Sequence, residues 1–376
     1  MSAGVPTARR PRVALLGSRG VPAGYGGFET LFEELGSGLV ERGYEVTVYC
    51  RSRYTPRALD SYRGMRLVTL PTLPTKYLDT PIHTFLAALH CAAEAFDAVL
   101  LVNAANALFV PLLRSAGLPV ALNVDGIERR RAKWGMPGRL VYALSEWLAT
   151  RLPDALVTDA ETIRAHYLQR FGVDSTVIAY GVTPRPLPPG PTLDGLGLTS
   201  RRFLLYVSRF EPENNPHRVV QAYREVPGDL PLVMVGTAPY ARRFIAELRR
   251  AADGRVVFPG AIYGDGYREL LSHALLYIQA TEVGGTHPAL VEAMGYGNCV
   301  VVNDTPENRE VAGPAAAYFH AGEPETLTRA LTRLLADAEQ RRLLGAAARA
   351  RAAEGYRWEL VVESYAELLR RLMSRS

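Results

Sequence analysis

Cysteine is scarce in this chain of 376 residues. Cys50, Cys91 and Cys299 stand far apart, each inside an apolar run. That spacing excludes a disulfide framework and a cysteine zinc site, and it fits buried thiols in a reducing cytoplasm. Long apolar runs are also lacking. No window reaches the roughly 18 uninterrupted apolar residues of a spanning helix, and the opening MSAGVPTARRPR has no signal-peptide core. A soluble or peripherally bound cytoplasmic protein is expected. No His-x-x-x-His, Cys-x-x-Cys or Asp-x-Asp pair is placed to hold a cation, so the expectation is no metal and no resident cofactor. His83 and His90, seven apart on an apolar stretch, read as core or rim histidines.

With 48% apolar and 22% charged residues the composition is that of a folded protein, and the length points to two domains. The net charge of +5 is unevenly placed. Between Ile127 and Arg151, Arg129, Arg130, Arg131, Lys133, Arg139 and Arg151 face only Glu128 and Glu146. Such a cluster meets a phosphate-bearing substrate or anionic lipid, or forms a solvated helix face. The surrounding Ala132–Asp154 stretch, with Trp134 and Trp147, fits an interfacial amphipathic helix and equally a core-facing helix with a wet basic side.

Strand-like and helix-like runs alternate along most of the chain, which predicts an α/β architecture of parallel sheets covered by helices. Strands are expected at Val13–Leu16, Val46–Cys50, Leu67–Leu70, Ala98–Val102, Val120–Asn123, Ala155–Thr158 and Thr176–Ile178. The proline-rich stretch Val182–Leu198 breaks the rhythm and reads as a domain boundary. Alternation then resumes with Phe203–Val207, Leu232–Val235, Val256–Phe258, Ala274–Ile278 and Cys299–Val302. A first domain over 1–181, a second over 182–355 and a terminal helix over 356–376 follow. Two doubly wound units leave a cleft where strand carboxyl ends face each other, and ligands bind outside such ends.

The chemistry-bearing motifs fall just after strands. Val13–Leu16 runs into GSRGVPAGYGGFET, whose glycines, Gly26 and Gly27 included, precede a helix start suited to an anion. Its spacing is not the G-x-G-x-x-G of nicotinamide enzymes, which demotes a dehydrogenase. Arg209, at the end of Phe203–Val207, has the geometry to pair with a diphosphate and stabilise the charge of a departing nucleotide, or to pair with Glu211 or Glu213. After Ala274–Ile278 comes Glu282-Val283-Gly284-Gly285-Thr286-His287-Pro288. Pro288 suits the first position of a helix, so Gly284, Gly285, Thr286 and His287 form a second anion site. Glu292, one turn inside, is placed to accept hydrogen bonds from ribose hydroxyls or to form a surface salt bridge. Asn303-Asp304-Thr305 follows the next strand and is expected either on the same cleft or as loop chemistry. Tyr263 either stacks on a nucleotide base or packs in the core.

These motifs, RFEPENNP, EVGGTHPALVEAMG, GSRGVPAGYGGFET and NVDGIERRRAKW, resemble those of the retaining glycosyltransferases of family four, with the two-domain GT-B fold. They look like a bacterial branch often labelled rhamnosyltransferase. The family's usual pattern is an Arg–Lys pair followed by two glutamates with seven residues between. Arg209 matches the arginine and Glu292 the second glutamate. Asn214 stands where the lysine is expected, Gly284 where the first glutamate is, and Glu282 lies two residues earlier.

The resemblance implies an acceptor-binding first domain, a donor-binding second domain and a terminal helix that returns to the first. It implies transfer of a sugar, best matched by L-rhamnose from dTDP-L-rhamnose, to a saccharide or lipid-linked saccharide of a bacterial surface polysaccharide, with retention. Arg209, Asp125 and Glu282 are the candidate catalytic residues. Asp125 binds a sugar hydroxyl, takes the acceptor proton, or merely shapes an Asp-Gly turn. Glu282 reads donor hydroxyls or pairs with a base. Asn214, Tyr263, Glu292, the Gly284–His287 turn, Gly26 and Gly27 are the candidate substrate contacts. A nucleic-acid partner is not expected. A UDP- or GDP-hexose donor, a nucleotide-sugar 2-epimerase and a non-catalytic binding relative are the alternatives.

Overall fold

The structure, a computed structural model, describes residues 9–374 except 25, 57, 74, 76, 132–134, 239 and 240, and the side chain of Arg130. Trp134 and Lys133 therefore lie outside the described residues. The first half supplies β1 (Arg12–Leu16), β2 (Glu45–Arg51), β3 (Ser61–Tyr62), β4 (Met65–Leu70), β5 (Ala98–Val102), β6 (Val120–Asn123), β7 (Ala155–Thr158) and β8 (Thr176–Val177). The second half supplies β9 (Leu204–Val207), β10 (Leu232–Val235), β11 (Val256–Gly260), β12 (Leu276–Gln279), β13 (Cys299–Asn303) and β14 (Ala316–Phe319).

The first eight strands form one sheet in the order β3-β4-β2-β1-β5-β6-β7-β8, parallel except for the small β3–β4 pair. The last six form a second, wholly parallel sheet, β11-β10-β9-β12-β13-β14. Past Arg12 at the start of β1, the central strands β1 and β9 are apolar or aromatic because helices cover both faces. Residues alternate between the two cores: Val13 and Leu15 of β1 face one, Ala14 and Leu16 the other.

The strands expected from sequence are present, with shifts of a residue or two at several ends. The short β3 and the outer β14 are additional. Ala316–Phe319 carries two alanines and alternates in burial at the sheet edge, so its pattern is too short to stand out. The proline-rich stretch contains one short helix, Pro191–Gly195. Glu269 accepts hydrogen bonds from the amides of Gly190, Thr192 and Leu193 at its start, pinning the segment to the second half.

The last helix, Trp358–Met373, packs on the first sheet's outer core rather than on the sheet nearest in sequence. Asn123 Nδ2 donates to the Tyr365 hydroxyl at 2.7 Å. A Cβ on Gly38 would lie 2.6 Å from Val362, so glycine there lets the helix Gly27–Glu41 approach. The chain thus crosses between the halves twice, and the crossings touch: the Val182 amide donates to Tyr356 O at 2.6 Å.

Candidate active site

In each sheet the strand order reverses beside a central strand, at β1/β5 and at β9/β12. Loops leaving adjacent strands diverge at such a point and open a crevice. The two crevices face one another. Between them lies a cavity of about 390 Å³, lined from the first half by Gly24, Gly26, Gly27, Glu33, Glu34 and Arg131. The second half contributes Arg209, Asn214, Tyr263, His287, Glu292 and others. Of the twelve candidate site residues, Gly26, Gly27, Arg209, Asn214, Tyr263, His287 and Glu292 line this cavity.

The helix Pro288–Gly295 explains how Glu292 gets there. Leu290, Val291 and Met294 are buried in the second core, so the opposite face, Pro288, Ala289, Glu292 and Tyr296, meets the cavity. Tyr267 donates to Glu292 Oε2 at 2.7 Å. Burial raises the Glu292 pKa to about 7, with Glu34 across the cleft adding to it, while the Tyr267 bond and Arg268 oppose it. Burial, helped by Arg131 and Arg209, lowers His287 to about 3, so its imidazole is neutral near pH 7.

Arg209 follows β9, and its guanidinium lies 3.9 Å from Glu211, too long for a committed pair. Asn214, at the position of the family's lysine, is not a free cleft group: its Nδ2 donates to the Arg209 carbonyl at 2.7 Å and its own carbonyl accepts from Tyr206. Asn214 thus holds the loop that presents Arg209. Tyr263 is half-exposed on the cavity rim, consistent with a stacking surface rather than a core residue.

Five candidates sit elsewhere. Glu282 is exposed, does not line the cavity, and accepts from Asn215 Nδ2 at 2.9 Å. Gly284, Gly285 and Thr286 pack at the seam between the halves, and Thr286 is bonded there. The Thr286 amide donates to Asp159 Oδ2 at 3.0 Å, and its hydroxyl bonds the Asp159 carbonyl. A Cβ on Gly285 would lie 1.9 Å from Asp159 Oδ1, and one on Gly126 would lie 2.7 Å from Gly284 Cα. Backbone of one half therefore touches backbone of the other, which only glycine permits.

Asp125 belongs to the same seam, not to the cavity lining. Its φ of 57° makes it the left-handed corner of an Asp-Gly turn, and its amide is held by Asn123 Oδ1 at 2.9 Å. The Asp125 and Asp159 carboxyls are within hydrogen-bonding reach, and burial raises both pKa values, Asp159 well above the ordinary range. Their mutual hydrogen bond acts in opposite senses, raising Asp159 further and favouring the ionised form of Asp125.

The first glycine loop is also anchored. Arg19 N donates to Glu29 and Ala23 N to Glu33, both on the following helix. Among its described residues, Ala23, Gly24, Gly26, Gly27 and Thr30 reach the cavity. Asn303, Asp304 and Thr305 serve loop chemistry: Asn303 accepts from Ala321 N, Asp304 pairs with Arg309, and Thr305 caps a helix through Asn308 N.

Sequence reasoning missed Asp159, Tyr267 and Arg268, and placed Arg131 only in a basic cluster. Asp159 directly follows β7, the same strand-end signal that drew attention to Arg209. Arg131 is buried, paired with Glu128 at 2.5 Å. Burial works against its charge, but Glu128, Asp125, Glu211 and Glu213 outweigh that and raise its pKa. Arg129 pairs with Glu146 at 2.8 Å, so these two arginines of the cluster are neutralised within the fold, while Arg139 and Arg151 are exposed. His83 is wholly buried and His90 meets the Tyr49 hydroxyl at 3.0 Å. Among the described residues, no group of three or more His, Cys, Asp or Glu is placed to hold a metal.

Comparison with known proteins agrees with this layout. Residues 26–181 match the glycosyl transferase 4-like domain, and residues 196–351 match glycosyl transferases group 1. The chain is a glycosyltransferase of the GT-B fold. It is 24% identical over 292 residues to alpha-maltose-1-phosphate synthase of Mycolicibacterium smegmatis, covering 68% of this chain and 74% of that one. Sucrose-phosphate synthase of Thermosynechococcus elongatus superposes with a TM-score of 0.81 at 19% identity, covering 98% of this chain and all of the other. HepE of Anabaena, solved in complex with UDP-glucose, gives 0.78 at 16% identity over 96% of this glycosyltransferase and 100% of HepE. These likenesses are to the fold.

Proposed function

We propose that this glycosyltransferase moves a sugar from a nucleotide-sugar donor to a hydroxyl of a saccharide acceptor, binding the donor in the cleft between its two halves. One observation carries the reading: Arg209, from the loop after β9, and His287 and Glu292, from the start and second turn of the helix Pro288–Gly295, converge on one cavity with the helix start at Gly26–Gly27 opposite. Arg209 supplies charge-assisted hydrogen bonds to the diphosphate, which strengthen as the nucleotide departs with an added negative charge. Neutral His287 donates to a phosphate oxygen without needing a proton from solvent. Glu292 accepts from the ribose hydroxyls, and Tyr263 stacks on the base. Tyr267 positions Glu292, and Asn214 positions Arg209. The departing phosphate takes the proton of the acceptor hydroxyl, the role that the resemblance to retaining glycosyltransferases gives it.

The donor we favour is dTDP-L-rhamnose, no metal is used, and the acceptor is a lipid-linked saccharide of a bacterial surface polysaccharide, met at the cytoplasmic side of the membrane. These finer assignments rest on the motif resemblance. A thermal-shift screen across dTDP-, UDP- and GDP-sugars tests the donor, since a ligand that binds the native state raises its apparent stability. Stabilisation by dTDP-rhamnose above the other sugars supports the assignment. Stabilisation by a UDP- or GDP-sugar alone overturns it. Donor consumed without any acceptor, giving an epimer, replaces transfer by epimerisation.

A further inference from the structure

Helices on one face of the first sheet bury their inner sides, but the outer side of Met136–Ala149 breaks the usual pattern. Met136, Leu140, Leu144 and Trp147 recur at i, i+4, i+8 and i+11, the spacing of one helix face. All four are exposed, at 75%, 68%, 54% and 47%. The opposite face, Ser145, Glu146 and Ala149, is buried, with Glu146 engaged by Arg129. The polar pair is inside and the apolar row outside.

The row continues onto neighbouring elements. The turn Ala104–Phe109, which packs on this helix, exposes Leu108. The adjoining helix Asp79–Ala92 exposes Phe85 and Leu89, and the Phe85 ring lies 6.2 Å from that of Phe109. An exposed apolar patch of this extent marks an interaction surface.

Its charge selects the partner. Arg139 on the helix and Arg151 just after it are exposed, while the exposed Arg114 nearby pairs with Asp154 at 3.3 Å, so the charge left on this face is positive. A second copy docked symmetrically would set arginines against arginines. An anionic bilayer offers opposite charge at its surface and apolar depth beneath.

We propose that the outer face of Met136–Ala149, with Leu108, Phe85 and Leu89 beside it, docks on the surface of an anionic lipid bilayer. The helix begins shortly after Arg131, a residue of the cleft, so docking brings the cavity close to lipid headgroups. The purpose of this contact rests on the lipid-linked acceptor proposed above. Its test does not, because vesicle binding needs neither donor nor acceptor.

The full chain is sedimented with vesicles of phosphatidylglycerol and phosphatidylcholine, and with phosphatidylcholine alone, at low and high salt. The wild type is expected to bind the mixed vesicles at low salt and to release at high salt. Leu140→Asp/Leu144→Asp is expected to lose at least about tenfold in affinity. Arg139→Gln/Arg151→Gln is expected to lose about fivefold per arginine and part of the salt dependence. Both pairs are exposed, so unchanged melting temperature and donor binding verify the fold. Absence of wild-type binding, or equal binding by the leucine variant, overturns the proposal. So does a wild-type dimer that the leucine variant converts to monomer, because the face then belongs to a second copy.

Discussion

Raising the pH from about 6 to about 8 is expected to tighten donor binding through one residue, Glu292. Its carboxyl, buried beside Tyr267, has a pKa raised to about 7. Accepting hydrogen bonds from two ribose hydroxyls requires the ionised form. At pH 6 about a tenth of the protein carries that form and at pH 8 about nine-tenths, so the association constant rises roughly ninefold, about 1.3 kcal/mol. Stability moves the other way. A carboxyl with a raised native pKa holds its proton longer folded than unfolded, so its contribution is full below about 4.5 and is lost as pH rises through about 7. Calorimetric titration with a nucleotide sugar, whose diphosphate stays ionised throughout, reads the binding arm. Glu292→Gln should bind more weakly at pH 8 and show no rise. A flat wild-type profile, or the same slope in the glutamine variant, would refute the reasoning.

Four further outcomes follow from the same geometry. Arg209→Ala should lower donor affinity about tenfold or more, for the loss of charge-assisted bonds of about 1.5–3 kcal/mol, with an unchanged melting temperature, read by the same calorimetry. Tyr267→Phe should cost about 1 kcal/mol of donor binding and move the pH midpoint upward, because the lost hydroxyl had favoured the ionised carboxylate. Gly285→Ala drives a methyl into Asp159, so the halves should part. Small-angle scattering would show a larger radius, and an unchanged radius would disprove the seam. Glu282→Ala should leave donor affinity within about twofold, since its side chain is outside the cavity; a tenfold loss restores it to the site.

What the sequence made legible was whatever a single run of residues encodes. β5, β6 and β7 read correctly to the residue because buried parallel strands are continuous apolar runs between turn signals. Arg209 and Glu292 were legible because strand ends and helix faces point in known directions. What stayed hidden depends on who sits opposite. Gly284–Thr286 carries the mark of an anion-binding helix start, yet Asp159, far away in the chain, accepts from the Thr286 amide. Asp125 and Glu282 read as candidate catalytic carboxylates, and their partners Asp159 and Asn215 could not be read from the local sequence. The helix Met136–Ala149 shows the converse: its amphipathic pattern was visible, but which side faced outward was not.

The most direct test of the central claim is a crystal structure with a nucleotide sugar bound. The account predicts the diphosphate between Arg209 and His287, the ribose on Glu292 and the base beside Tyr263. A nucleotide seated outside the cleft, or in it with Arg209 and Glu292 untouched, would contradict the account.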